Sequence, residues 1–213
     1  MSIPGGLPFR WPVVAAILGA SRLAAPTACS AELHGDLELV PLHNGMNQVE
    51  LGSPALAGMV MLAHRENFNA HSFELATFYL RTAVLESDPK MWQLIPFEIK
   101  TEEGVWKNSL GVSGGADCQV HTFRLLRARK EGKVSVLVAD RATGESYADP
   151  GRVTFTWLQL EWNPDGGAGE PTARFKAWKT EKTTKLYCDV DEAIEAELHL
   201  TGAIAPKAGS LAE

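Results

Sequence analysis

The polar run His64-Arg65-Glu66-Asn67-Phe68-Asn69-Ala70-His71-Ser72 stands between two strongly apolar segments and brings donors, acceptors and imidazoles together in one connection. That inventory is what a recognition loop needs. Arg65, Glu66, Asn67, Asn69 and His71 are therefore the candidate binding residues. The same asparagines would also suit a solvated hairpin loop, where they supply turn geometry. A second stretch, Gly111-Val112-Ser113-Gly114-Gly115, spells G-x-S-x-G, the turn that presents a serine nucleophile in hydrolases. That turn works between a buried strand and a helix, so that a helix N-terminus faces the oxyanion. Here Lys107-Asn108-Ser109 precedes it and a β-rich run follows, which favours a flexible Gly-Ser loop and leaves a serine hydrolase using Ser113 as an alternative.

No metal-ligand pattern is present. His34, His43, His64, His71, His121 and His199 show no i,i+2 or i,i+4 pairing, and there is no Cys-x-x-Cys. Neither a metal nor a cofactor is expected on that basis. Asp189-Val190-Asp191-Glu192 lacks the alternating oxygen ligands and central glycine of a calcium loop and reads as a helix start. The cysteines matter through their compartment. Cys29 falls at the edge of a leader, so Cys118 and Cys188 remain as an even pair expected to form a disulfide once the chain is exported.

The elements that must position these groups are mostly strands. Residues 37–42 and 46–51 flank Asn44-Gly45, a dipeptide suited to a two-residue hairpin. Residues 59–63 and 73–80 are apolar β-rich runs, the second apolar on both faces as in a central strand. Residues 92–99 read as one strand, with Pro96 marking an edge or bulge. A meander follows over residues 118–127, 134–139, 153–162 and 173–178. In its third strand the apolar set changes parity, from Val153, Phe155 and Trp157 to Leu158, Leu160 and Trp162, which predicts a bulge at Trp157-Leu158 or burial on both faces. Residues 189–198 alone look helical, with an acidic first turn and an apolar face of Val190, Ala193, Ile194 and Leu198. The fold class expected is mainly β, an antiparallel sandwich or meander with one short C-terminal helix.

At the N-terminus, Arg10 precedes an apolar run over residues 11–20, and small residues follow from Ala24 to Ala31. These are the parts of a cleaved signal peptide over residues 1–31, and the apolar run is too short to span a bilayer. One β-rich domain is expected over residues 32–202 and a flexible tail over 203–213. Residues 1–31 contain Arg10 and Arg22 and no acid, so cleavage takes the formal charge from −6 to −8. Such a charge argues against a nucleic-acid or anionic-membrane partner and leaves a cationic one, such as a toxin domain, open.

The stretch from Asn44-Gly45-Met46-Asn47-Gln48-Val49-Glu50-Leu51 through the His64 to Ser72 run to Phe78-Tyr79-Leu80, with Trp92-Gln93-Leu94-Ile95-Pro96-Phe97-Glu98, Gly115-Ala116-Asp117-Cys118 and the run over residues 138–160, resembles the carbapenem intrinsic-resistance (self-immunity) proteins. The resemblance implies a periplasmic protein of a Gram-negative bacterium that raises tolerance to a carbapenem by binding or protection, without enzymatic turnover. The implied partner is a β-lactam or a cell-wall-related component. The chain departs from that pattern at Ser53-Pro54-Ala55-Leu56-Ala57-Gly58, where an acidic turn is expected. Lys-Thr-Gly and His-x-His-x-Asp, two signatures of β-lactamases, are absent from the sequence. A periplasmic immunity protein that neutralises a secreted toxin is the alternative from another class.

Overall fold

The computed structural model describes residues 37–52, 56–69, 71–83, 89–101, 104–114, 118–163 and 167–202. The expected leader, the start of the mature chain, the departure at Ser53-Pro54-Ala55 and the C-terminal tail lie outside these residues. The strands are β1 (Leu37–Leu39), β2 (Gly45–Glu50), β3 (Ala57–Arg65), β4 (Phe73–Thr82), β5 (Met91–Leu94), β6 (Phe97–Thr101), β7 (Gly104–Lys107), β8 (Leu110–Gly114), β9 (Gln119–Ala128), β10 (Val134–Arg141), β11 (Val153–Trp162) and β12 (Ala173–Lys182), followed by helix α1 (Val190–Leu198). They form one mixed sheet in the order β2-β3-β4-β8-β9-β10-β11-β12-β6-β7, with β1 added on β9 and β5 on β4.

The sheet curls around an apolar core without closing into a barrel. Phe78 on β4 meets Phe97 on β6 and Phe175 on β12 edge to face, at ring separations of 5.2 and 5.5 Å, although β4 lies far from both in the strand order. Phe97 and Phe175 stack on each other at 5.5 Å. All of these rings are inaccessible to solvent, and each contributes about 1.5–3 kcal/mol by leaving water. A second core lies on the opposite face, where Val190, Ala193 and Ile194 of α1 cover Leu126, Leu137, Phe155 and Trp157. Strand β10 reads Val-Ser-Val-Leu-Val-Ala-Asp-Arg and is buried on both faces, because it separates the two cores.

The predicted bulge is observed: the β11–β12 register shifts between Trp157 and Leu158, so residues before it face α1 and those after it face the first core. The helix is capped as its sequence implies. Asp189 accepts a hydrogen bond from the Asp191 amide at 2.8 Å, and His199 ends the helix in a left-handed conformation with its N–H on the Glu195 carbonyl.

Four expectations need correction. Residues 37–42 do not pair with 46–51, because β1 instead aligns Leu37 with Ala128 and Leu39 with Leu126 on β9. Asn44-Gly45 is thus a bend, Gly45 taking a φ of 100°, braced by Asn47, whose side chain bonds both the N–H and the carbonyl of His43. The single strand expected over 92–99 is two strands. β5 runs antiparallel to β4, and β6 runs parallel to β12, the one departure from an antiparallel arrangement that these strands show. Pro96 falls between them, where its missing N–H breaks no ladder, and its carbonyl accepts from Phe175 at 2.9 Å. Third, residues 110–114 form strand β8 rather than a flexible loop, pairing with β4 through Leu110, Gly111 and Val112. Finally, residues 104–107, for which no strand was expected, form β7 against β6.

Candidate functional site

Strand direction gathers four connections at one end of the sheet. Arg65 aligns with Phe73, Ser113 with His121, Arg141 with Val153 and Thr154 with Lys182, so residues 66–72, the β8–β9 turn, residues 142–152 and residues 183–189 all leave the sheet on the same side. They are tied to one another. Cys118 at the β8–β9 turn forms a disulfide with Cys188 before α1, with Cα atoms 5.5 Å apart. Gly151 and Tyr187 exchange backbone hydrogen bonds at 2.9 Å. His71 places Nδ1 3.3 Å from the Gly114 carbonyl and its ring 5.4 Å from that of Tyr147.

Within the loop after β3, most of the candidate polar residues serve the loop itself. The Glu66 carboxylate accepts from the Ser72 hydroxyl at 2.6 Å and from the Phe68 N–H at 2.5 Å. Those two bonds, the hydroxyl's first, hold its carboxyl below the usual carboxylate range. Asn67 donates from its side chain to the His71 carbonyl at 2.8 Å, and Asn69 accepts from the His71 N–H at 2.8 Å. Arg65 lies over the Phe73 ring, its guanidinium carbon 5.2 Å from the centroid. Glu66, Asn67 and Asn69 thus brace the loop, while Arg65 lies over Phe73 and His71 lies against Gly114 and Tyr147.

What the scaffold presents is Phe68. Its φ of 55° is a left-handed conformation unusual for an aromatic residue, and 94% of its surface is exposed. The ring is thus held in solvent on a turn braced by the Glu66, Asn67 and Asn69 bonds. Tyr147 stands at the wall of a neighbouring cavity of about 450 Å³ lined by residues 143–147. Its position is set from below by buried Arg141, which donates to the Asp149 and Tyr147 carbonyls at 2.5 Å each. Sequence reasoning did not single out Phe68, Tyr147 or Arg141 for these positions. An aromatic inside an otherwise polar loop was the available signal for Phe68, whereas only the structure brings Tyr147 to His71.

Glu74, at the start of β4, has its carboxyl raised by burial, with His64 acting the other way. Among the described residues no three of His, Cys, Asp and Glu are grouped to hold a metal ion, and no helix is long and apolar enough to cross a membrane. Ser113 sits on strand β8 and not on a strand-to-helix turn, so the hydrolase elbow geometry is not formed. Ser87-Asp88-Pro89-Lys90 spells the Ser-x-x-Lys of some β-lactamases but lacks the accompanying Lys-Thr-Gly, and Ser87 and Asp88 lie outside the described residues.

No family model matches the chain, and no curated protein matches it. A solved structure does: the chain resembles the crystal structure of CarG. The TM-score is 0.57 at 25% sequence identity, over 77% of this chain and 99% of that one. CarG and this protein therefore share the curled, mostly β fold over nearly the whole of CarG.

Proposed function

We propose that this protein is exported to the periplasm and protects its cell against a carbapenem by binding or shielding, with the end of the sheet around residues 64–72 as the recognition surface. The observation that carries the reading is the likeness to CarG over most of both chains, which agrees with the sequence resemblance to carbapenem self-immunity proteins between Asn44 and Leu160. The Cys118–Cys188 disulfide supports an oxidising compartment, because such bonds persist outside the cytoplasm. The braced loop supports recognition, since a preorganised turn loses little conformational entropy on binding.

The test is expression in the periplasm of a sensitive host, with growth measured against drug concentration and the drug quantified in the medium. Raised tolerance with the drug undepleted is expected. Protection that needs protein in molar excess of drug indicates sequestration, whereas protection at lower expression indicates shielding of a cell-wall target. Unchanged sensitivity at verified periplasmic expression overturns the reading.

A further inference from the structure

Three adjacent strands bring together side chains that are well separated in sequence. Ser113 on β8 is the cross-strand partner of His121 on β9, and His121 is the partner of Asp140 on β10. Directly opposed residues of antiparallel strands project from the same face, so hydroxyl, imidazole and carboxylate form a row. The imidazole is oriented: Nδ1 is hydrogen bonded to the Asp140 carboxylate. The other edge of the ring lies toward β8, since a methyl group on Gly111 would stand 3.9 Å from His121 Cδ2. Gly111 and Ser113 lie two apart on that strand and so share the face over which the ring lies. The imidazole is largely sheltered, its side chain 20% exposed, while the carboxylate reaches solvent.

We propose that Ser113, His121 and Asp140 form an acyl-transfer centre in which Ser113 is the nucleophile and the substrates are activated esters. His121 Nε2 takes the Ser113 proton as Oγ attacks the acyl carbon. The Oγ–C bond forms, the ester C–O bond breaks, and the leaving oxygen takes the proton back from Nε2. Water then attacks the acyl carbon, giving a proton to Nε2, and Oγ leaves with that proton as the carboxylic acid is released. Asp140 is a positioning residue, fixing the tautomer that leaves Nε2 free to accept. No Ser113–His121 hydrogen bond forms in the free protein, as is common before substrate aligns such a pair. This centre differs from the G-x-S-x-G elbow, which needs a helix after the serine. It rests on register and not on that motif, and it is independent of the protection reading.

The full chain is treated with a fluorophosphonate probe, whose phosphorus the serine attacks with loss of fluoride, and p-nitrophenyl acetate serves as the ester. One phosphonyl group per chain is expected, mapped to Ser113 by peptide mass spectrometry, with none on Ser113→Ala. His121→Ala should slow labelling by about 100-fold or more, the size of a lost general base. Asp140→Asn should slow ester cleavage and displace its pH–rate profile, which a merely structural residue would not do. Mapping the label on the unmodified protein keeps the test decisive even if a variant fails to fold. An unlabelled chain beside a labelled trypsin control, or a label on any other residue, overturns the proposal.

Discussion

Replacing Asp191 by Ala should destabilise the protein by about 3 kcal/mol. The Arg124 guanidinium is almost wholly buried, its side chain 3% exposed, and its charge is met by Asp191 at 2.6 Å. Donation to Thr122 Oγ1 at 3.0 Å and to the Phe123 carbonyl at 2.8 Å would survive the substitution, but neither partner carries charge. Removing one member of a buried pair costs about 3–5 kcal/mol because the other is left uncompensated. Asp191 is 27% exposed, so water can reach the orphaned guanidinium from the helix side, which places the cost near the lower limit. The capping bond does not change, because Asp191 contributes to it only through its backbone N–H. Urea denaturation gives the free energy, and a melting scan should fall by about 10 °C for a chain of this size. The double variant Arg124→Met with Asp191→Ala should recover at least half the loss, since no buried charge remains. A loss below about 1 kcal/mol, or a double variant weaker than the sum of its parts, would refute the assignment of a buried, dependent charge.

Removing the disulfide through Cys118→Ala and Cys188→Ala together should cost about 4 kcal/mol, the chain-entropy value for a loop spanning 70 residues, read as a difference in urea midpoint. Phe68→Gly should leave melting unchanged or slightly raised, because glycine adopts the left-handed conformation without penalty, yet should abolish protection in the growth assay. The folded-state carboxyl of Glu66 lies below its unfolded value, so its contribution is complete above the unfolded value and fades as pH falls through the lowered one. Phe68 amide protection, measured by hydrogen exchange and corrected for the intrinsic rate, should therefore fall in acid, and Glu66→Gln should remove that dependence. Glu74 carries the opposite sign, since burial raises its carboxyl, and Glu74→Gln should be neutral or stabilising at pH 7 by thermal melting.

Local patterns were legible where local forces decide them. The parity change at Trp157-Leu158 announced the bulge because each half of β11 answers to a different core, and the acidic start of α1 announced its cap. Strands β7 and β8 were hidden because their glycine, serine and lysine content carries little β-propensity, and pairing with β6 and β4 overrides it. The partner of β1 was missed for a similar reason. Asn44-Gly45 is a strong local hairpin signal, yet Leu37 and Leu39 pack beside α1, which no window of sequence around them contains. At the site, the unusual loop was visible but the roles inside it were not. Glu66, Asn67 and Asn69 turn inward to hold the turn, and only coordinates distinguish a polar side chain that braces from one that reaches out.

The junction at Pro96 also bears on the order in which the molecule is made. β6 pairs in parallel with β12, aligning Phe97 with Phe175 across an interval of 78 residues, and neither ring has its stacking partner until that register is set. Closing so long an interval is entropically slow, and such non-local pairings dominate folding times. The meander of β9 to β12 pairs strands that follow one another in the chain and can assemble first, so capture of the 95–101 segment becomes the step that seals the first core. Until residue 175 has emerged from the ribosome, that core stays open and the chain cannot lock. A nascent polypeptide therefore stays open to threading for as long as β12 is unmade.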